Sequence, residues 1–190
     1  ADITKASATV TANSATVTYN GSSQSVSGFT VVGLLGNEIA ATALSGVTAS
    51  GATATNAGTY SNSLSGSATN YNLTFVNGSL TISPATLTLT GTQAYNGTAV
   101  IYGAGLTAHG VNNESFTVSG SADLTSKHVQ ANQALANVNG LTLTPVGSAL
   151  LSNYSPLTVS NTSISVTPLP ITLTAPTINK VYDGGYTYTV

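Results

Sequence analysis

The chain of 190 residues lacks cysteine, methionine and tryptophan, and its only cations besides histidine are three lysines. A chain without cysteine forms no disulfide and offers no thiolate to a metal ion. Charge is also scarce, since 4% of the residues are charged against a typical fraction of about a quarter. Three scattered lysines cannot form a surface that neutralises phosphates, so nucleic-acid binding is not expected.

Long apolar runs are absent too. None approaches the ~20 residues of a membrane-spanning helix, so we expect no membrane insertion of this segment. The first residues, Ala1–Thr4, show no secretory signal, and the chain reads as a segment of something longer.

Side chains that could bind a metal ion or catalyse a reaction are equally sparse. His109 and His128 are the only histidines, and five acidic residues are spread over the whole chain. A zinc site needs three or four converging ligands, and a calcium site needs a cage of oxygen ligands rich in carboxylates. No Gly-x-Ser-x-Gly sequence is present to position a nucleophilic serine. We therefore predict no metal, no cofactor and no enzyme activity.

One short motif occurs three times. It is Tyr-Asx-Gly, at Tyr19-Asn20-Gly21, Tyr95-Asn96-Gly97 and Tyr182-Asp183-Gly184, so the copies start 76 and 87 residues apart. A second landmark, Asn70-Tyr71 and Asn153-Tyr154, follows the first two copies. A period near 80 residues is too long for one solenoid turn and has the size of a small domain. The sequence therefore predicts a tandem array of small domains.

The repeats divide the chain into four parts. Residues 1–5 are predicted to be the closing strand of a preceding module, residues 6–84 form module 1, residues 85–168 form module 2, and residues 169–190 start module 3. Pro84 and Pro168 lie at the two junctions, where a fixed φ makes short, stiff connections.

Alternation of apolar and polar residues predicts β-strands in both modules. The alternating runs are Thr16–Tyr19, Leu73–Val76, Leu80–Ile82, Leu87–Leu89, Phe116–Val118, Leu141–Leu143, Leu157–Val159 and Ile164–Val166. Strand-like runs also precede the three motifs, at Ala15–Thr18, Thr86–Thr90 and Ile171–Thr174. The predicted fold class is all-β, with small β-sandwich modules of Ig-like type and about 80 residues, arranged end to end. The alternative is β-grasp-like modules with a short helix.

Two local predictions are more specific. Asn-Gly pairs are typical of tight turns because both residues tolerate a positive φ. We therefore expect Asn77-Gly78 to join Leu73–Val76 and Ser79–Ile82 in a hairpin. Alanines in Ser126–Val138 are compatible with a helical turn, but the counterpart Ala52–Tyr60 favours strand or loop, so β structure is predicted here.

Lys180-Val181-Tyr182-Asp183-Gly184 resembles the Lys-x-Tyr-Asp-Gly signature of the YDG-type repeats and the related MBG-type repeats. These repeats recur in large bacterial surface adhesins, including filamentous-haemagglutinin-like exoproteins secreted by two-partner systems. Module 2 is similar to a YDG-type repeat, with Gln93–Thr98 in the place of the signature. Module 1 is closer to the MBG type through Thr18–Gly21 and Ala57–Tyr60.

The resemblance implies an extracellular, secreted protein of the bacterial cell surface and carries over no catalytic residue. We expect a structural or adhesive repeat region that extends a binding tip or mediates cell aggregation and biofilm matrix attachment. The expected partners are neighbouring repeat modules, together with exopolysaccharide, host glycan or sibling adhesin fibres. Two other classes stay open, a polysaccharide-binding module and accessory domains of a secreted enzyme.

The tyrosines of the repeated motif, Tyr19, Tyr95 and Tyr182, are the predicted site residues. A tyrosine ring can stack on a sugar, which makes each a candidate glycan contact. The competing interpretation is structural: the tyrosine packs at the module junction while Asx-Gly forms the turn.

Overall fold

The computed structural model describes residues 2–177, 179, 181, 182, 184 and 185. These residues are mainly strands, and α1 (Ala40–Ala43) is the single α-helix among them. The prediction of an all-β fold is confirmed. A four-residue helix in module 1 was not predicted at that position, and it is a detail that the β-grasp-like alternative shares.

Every strand pair in the described chain lies within one module. The strands of module 1 are β1 (Ala6–Ala12), β2 (Ala15–Thr18), β3 (Gln24–Val26), β4 (Phe29–Val32), β5 (Val47–Ala49), β6 (Ala52–Ala54), β7 (Gly58–Asn62), β8 (Leu64–Gly66), β9 (Tyr71–Val76) and β10 (Gly78–Ser83). The strands of module 2 are β11 (Thr88–Ala94), β12 (Val100–Tyr102), β13 (Leu106–His109), β14 (Ser115–Asp123), β15 (Gln130–Gln133), β16 (Leu141–Pro145) and β17 (Thr162–Thr167).

Module 1 is built from two three-stranded sheets, ordered β4-β1-β9 and β2-β10-β7, and two ribbons, β3-β6 and β5-β8. β1 runs parallel to β9, and β2 runs parallel to β10. Because β1 leads into β2 and β9 leads into β10, the first and last segments of the module pass side by side from one sheet to the other.

The predicted hairpin at Asn77-Gly78 is wrong. β9 and β10 belong to different sheets, so the chain changes sheets at this point instead of folding back. A Cβ built on Gly78 would lie 2.3 Å from the carbonyl oxygen of Asn13 and 2.6 Å from that of Ala12. Glycine is therefore required for the close approach of two crossing backbones, a role that the Asn-Gly pattern does not reveal.

Module 2 forms one seven-stranded sheet in the order β12-β14-β13-β11-β17-β15, with β16 paired to β14. Its first strand, β11, again runs parallel to its last strand, β17. At the entry of each module the first residue donates to the second landmark: Ala6 N–H to Asn70 O at 3.0 Å, and Ala85 N–H to Asn153 O at 2.9 Å. Because the first and last strands are parallel, the chain enters each module at one end and leaves at the other.

The apolar core consists of two clusters. One fills the entry half of module 1 and contains Val10 and Leu44. The other crosses the junction, so that Leu80 and Ile82 of module 1 share a core with Leu89 of module 2. Hydrophobic burial therefore connects the two modules as well as stabilising each one.

Two predicted runs form no strand. Leu157–Val159 leads into a 3₁₀ turn, Val159–Asn161, which the Thr162 hydroxyl closes by donating to Val159 O at 2.7 Å. Ile171–Thr174 is irregular, with Leu173 92% exposed. The equivalent runs in modules 1 and 2 pair with the module's last strand, and the described residues after 169 supply no such partner. Ser126–Val138 contains β15 and no helix, as predicted.

The crossing of the two segments at Gly78 generates a prediction. Gly78→Ala should lower the free energy of unfolding by roughly 3 kcal/mol, because the methyl group would overlap two carbonyl oxygens. Gly36→Ala is the matched control, since Gly36 has a φ of +61° but no atom within 4 Å of a built Cβ. Its cost should be about 1 kcal/mol of backbone strain. Urea unfolding measures both; a Gly78→Ala cost no larger than that of Gly36→Ala would contradict this role.

Candidate functional site at the module junction

The Tyr-Asx-Gly motif occupies the same place in both modules, at the exit end beside the last strand. Tyr19 N–H donates to Ser83 O at 2.8 Å, and Tyr95 N–H donates to Thr167 O at 2.8 Å. These bonds extend the parallel ladders between the first and last strands. The repeat seen in the sequence is therefore a repeat of backbone hydrogen bonding.

The Asx-Gly part of the motif forms the predicted turn. The Asn20 side chain accepts from Ser22 N–H at 2.9 Å, and the Asn96 side chain accepts from Thr98 N–H at 3.0 Å. Gly21 has a φ of +76° and the equivalent glycine in module 2 has nearly the same value. Asp183 of the third copy lies outside the described residues.

Tyr19 projects from module 1 into module 2 and is buried. Its ring meets that of Tyr154 edge to face, with centroids 5.7 Å apart and planes at 78°. Tyr154 makes a second edge-to-face contact with Phe116, at 5.3 Å and 86°. Such pairs contribute about 0.5–1.5 kcal/mol beyond the area they bury. The aromatic contact thus links the exit of one module to the entry of the next.

A single carboxylate lies between the two tyrosines. Glu114 Oε1 accepts the hydroxyl of Tyr19, and its Oε2 accepts the hydroxyl of Tyr154 at 2.6 Å. The Tyr154 oxygen in turn accepts Val111 N–H at 2.8 Å. Glu114 is half-buried, so these charge-assisted hydrogen bonds replace part of its hydration.

The turn before Glu114 fixes its position. Val111–Asn113 forms a 3₁₀ turn in which Asn112 and Asn113 have φ values of +50° and +62°. Asparagine adopts this left-handed region more readily than most residues. Glu114 N–H closes the turn on Val111 O at 2.9 Å.

Asn153 makes the other polar contact across the junction, and it is 1% exposed. Its Oδ1 accepts Ala57 N–H at 2.8 Å, and its Nδ2 donates to Asn56 Oδ1 at 3.1 Å. Its backbone carbonyl accepts Ala85 N–H in its own module. We call Tyr19, Glu114, Asn153 and Tyr154 the junction cluster.

The junction cluster changes the acidity of its phenols. Burial, followed by the hydrogen bond to the Glu114 carboxylate, raises the pKa of Tyr154 far above its ordinary value of 10.0. The pKa of Tyr19 is raised for the same two reasons. Both hydroxyls therefore stay protonated and remain donors at alkaline pH values at which an ordinary phenol ionises.

The three tyrosines predicted as site residues lie in three different settings. Tyr19 is buried in the junction cluster, as the structural interpretation of the motif proposed. Tyr95 is half-buried beside a groove of about 430 Å³ that His128, Val129 and Pro168 help to line. Tyr182 is 88% exposed. Glycan contact stays a prediction for these residues.

Other kinds of site leave little trace in the described part of the chain. No group of three histidine, aspartate or glutamate side chains converges there. His109 is exposed and hydrogen-bonds to the Thr90 hydroxyl at 2.8 Å. No helix in residues 2–177 reaches the length and apolarity needed to cross a bilayer.

Sequence reasoning missed Glu114 and the cross-module role of Asn153. The available signal was the repeat itself, because the chain's only two glutamates, Glu38 and Glu114, lie 76 residues apart. The first two motif tyrosines have the same separation. In a chain with five acidic residues, such a coincidence points to a shared structural role.

Removing either the Tyr19 hydroxyl or the Glu114 charge should lower the free energy of unfolding measurably. Tyr19→Phe and Glu114→Gln should each cost about 1–3 kcal/mol of unfolding free energy, with a coupling of about 1–2 kcal/mol between them. A double-mutant cycle in urea measures the coupling. Tyr102→Phe is the control partner for Glu114→Gln, since Tyr102 is 67% exposed and that cycle should be additive. An additive Tyr19–Glu114 cycle would refute the contact.

The raised phenol pKa values predict alkaline sensitivity. Above about pH 10 the unfolded chain releases phenolic protons that the folded chain retains, so stability should fall as pH rises through and beyond that value. Tyr154→Phe should flatten this decline between about pH 9 and 11.5, whereas Tyr102→Phe should not. Thermal unfolding followed by circular dichroism gives the slopes; equal slopes for Tyr154→Phe and the unmodified chain would contradict the assignment.

Comparison with known proteins bears on module 1. A family model described as the MBG domain (YGX type) matches residues 8–81, which lie within the predicted bounds of module 1. Comparison of the whole chain with curated proteins and with solved structures gives no match. MBG domains are repeat modules typical of large extracellular surface proteins. Residues 8–81 are therefore similar to MBG domains of the YGX type, the type that the resemblance implied for module 1.

Proposed function

We propose that this chain is a structural repeat region of a secreted bacterial surface adhesin, in which modules in series hold a binding tip away from the cell. The observation that carries the proposal is the parallel pairing of first and last strands in both modules. Parallel pairing separates entry from exit and adds length with each module. Antiparallel pairing would return the chain to its starting point.

The junction cluster supports a spacing role because it restricts bending. Tyr19 is held by a carboxylate and by an aromatic edge, while Asn153 ties the loop at Asn56-Ala57 to module 2. Two separate polar contacts and a shared apolar core resist both rotation and opening. A stiff junction transmits position along an array, which a flexible linker does not.

The surface chemistry suits an extracellular spacer. Threonine, serine and asparagine provide hydrogen-bonding capacity on the wet strand faces with very little charge. Weak contacts with matrix or with sibling fibres, repeated along an array, would sum to useful avidity. Cell aggregation and biofilm attachment are the biological roles proposed on this basis.

A second candidate function is polysaccharide binding, favoured by the groove beside Tyr95. This groove combines a half-buried aromatic ring with His128, Val129 and Leu169 at a surface of low charge. Aromatic rings with an adjacent polar group are the side chains that sugars stack on. The proposal of an enzyme-accessory role has no comparable observation behind it.

The spacing role is tested by a distance between modules. The chain has no cysteine, so Thr16→Cys and Thr92→Cys permit two spin labels at exposed, equivalent positions. Pulsed electron paramagnetic resonance should give one narrow distribution near 30–35 Å, about ten strand residues per module step. Glu114→Gln combined with Asn153→Ala should broaden it. A broad distribution in the otherwise unmodified chain would overturn the proposal.

The binding alternative makes a separate prediction. If the groove binds glycan, calorimetry with purified bacterial exopolysaccharides should give saturable binding that Tyr95→Ala abolishes. Tyr102→Ala, at an exposed tyrosine of the same module, should leave that binding intact. Binding that survives Tyr95→Ala would remove the groove as the site, and no binding to any polysaccharide would leave spacing alone.

A further inference from the structure

Module 1 contains the same hydrogen-bonding arrangement that module 2 contributes to the junction. The Tyr71 hydroxyl donates to Glu38 Oε2 and accepts Leu35 N–H at 2.9 Å. Glu38 N–H closes a turn on Leu35 O at 3.3 Å. Tyr71, Glu38 and Leu35 thus repeat the contacts that Tyr154, Glu114 and Val111 make in module 2. The two modules also share the hydrogen bond at their entry, which Ala6 N–H donates to Asn70 O and Ala85 N–H donates to Asn153 O.

The two arrangements differ in what covers them. In module 2 the second carboxylate oxygen of Glu114 receives a tyrosine from the neighbouring module. In module 1 the second oxygen of Glu38 has no hydrogen-bond partner among the described residues. Asn153 is 1% exposed and bonded across the junction, whereas its counterpart Asn70 is exposed and its side chain makes no hydrogen bond in the described chain.

The uncovered arrangement forms a concave surface. A cavity of about 430 Å³ is lined by residues 3–6 together with Leu35, Glu38, Thr69, Asn70 and Tyr71. Leu35 is 62% exposed, although the equivalent Val111 is half-buried against the shared core. We call Leu35, Glu38, Asn70 and Tyr71 the open face.

The exit end of module 2 has the complementary features. Tyr95 occupies the place of Tyr19, since both extend the parallel ladder to the last strand. Strand register places Gln130 opposite Val166, as Gly58 is opposite Ile82. His128-Val129 therefore takes the place of Asn56-Ala57, the segment that Asn153 binds at the closed junction.

We propose that the open face is a docking site for the Tyr-Asx-Gly end of another module of this kind. The incoming tyrosine hydroxyl donates to the free oxygen of Glu38, and the Asn70 side chain binds the backbone of the segment that corresponds to Asn56-Ala57. This inference rests on the proposed arrangement of modules in series. It identifies the residues that would bind the preceding module. It also implies that the same junction recurs between successive modules of the array.

The test duplicates the chain. Residues 1–168 are followed directly by residues 6–190 of a second copy, so that Pro168 precedes Ala6 as Pro84 precedes Ala85. Spin labels at Thr92→Cys in the first copy and Thr16→Cys in the second copy span the new junction. The expected result is one narrow distribution, as for the Thr16–Thr92 pair of the single chain, with a mean set by the path through module 1 of the second copy.

Glu38→Gln with Asn70→Ala in the second copy should broaden this distribution. The same two substitutions in the first copy are the matched control, since that open face does not lie between the labels, and they should change nothing. Circular dichroism verifies that each variant is folded. A distribution that is broad, or that ignores the second-copy substitutions, overturns the docking site and leaves the open face to some other ligand. The spacing proposal fails separately, if the single chain already gives a broad distribution.

Discussion

One carboxylate joins two modules. Glu114 accepts hydroxyls from Tyr19 of module 1 and Tyr154 of module 2, and the two rings meet edge to face beside it. Placing a charge in this half-buried position costs hydration, which two charge-assisted hydrogen bonds offset. Removing one partner leaves that cost uncompensated, so the interaction specifies a geometry more strongly than it adds net stability. In a chain of very low charge, few other charged groups compete for these donors.

The path of the chain through each module determines how the junction affects the orientation of neighbouring modules. Parallel first and last strands place the Tyr-Asx-Gly turn at the exit, where the next module's entry begins. The apolar side chains of Leu80 and Ile82 in module 1 belong to the same buried cluster as the core of module 2. Local strand pairing, core packing and polar contact all favour one relative orientation. In the proposed spacer, strand length would set the length that each module adds.

The sequence predicted the parts of the fold that depend on local pattern. Alternation located seven of the seventeen strands in the described chain, namely β2, β9, β10, β11, β14, β16 and β17. The positive φ of Gly21 and its equivalent followed from the Asn-Gly turn. It failed where tertiary pairing decides: Asn77-Gly78 has the same composition as a hairpin turn, but its glycine serves a backbone crossing. The junction was foreseen for Tyr19 but not for Glu114, because a hydrogen bond between residues 95 positions apart leaves no local signature.

The most direct test of the account is the amide exchange rate of Ala57. Its N–H lies in a loop of module 1 and has its hydrogen bond only to the side chain of Asn153, in module 2. If the junction is closed in solution, hydrogen exchange followed by nuclear magnetic resonance should show Ala57 protected about as strongly as strand amides of β10. Asn153→Ala should remove that protection and leave β10 unchanged. Exchange of Ala57 at the rate of an exposed loop amide in the unmodified chain would show that the modules are not held together by the junction cluster.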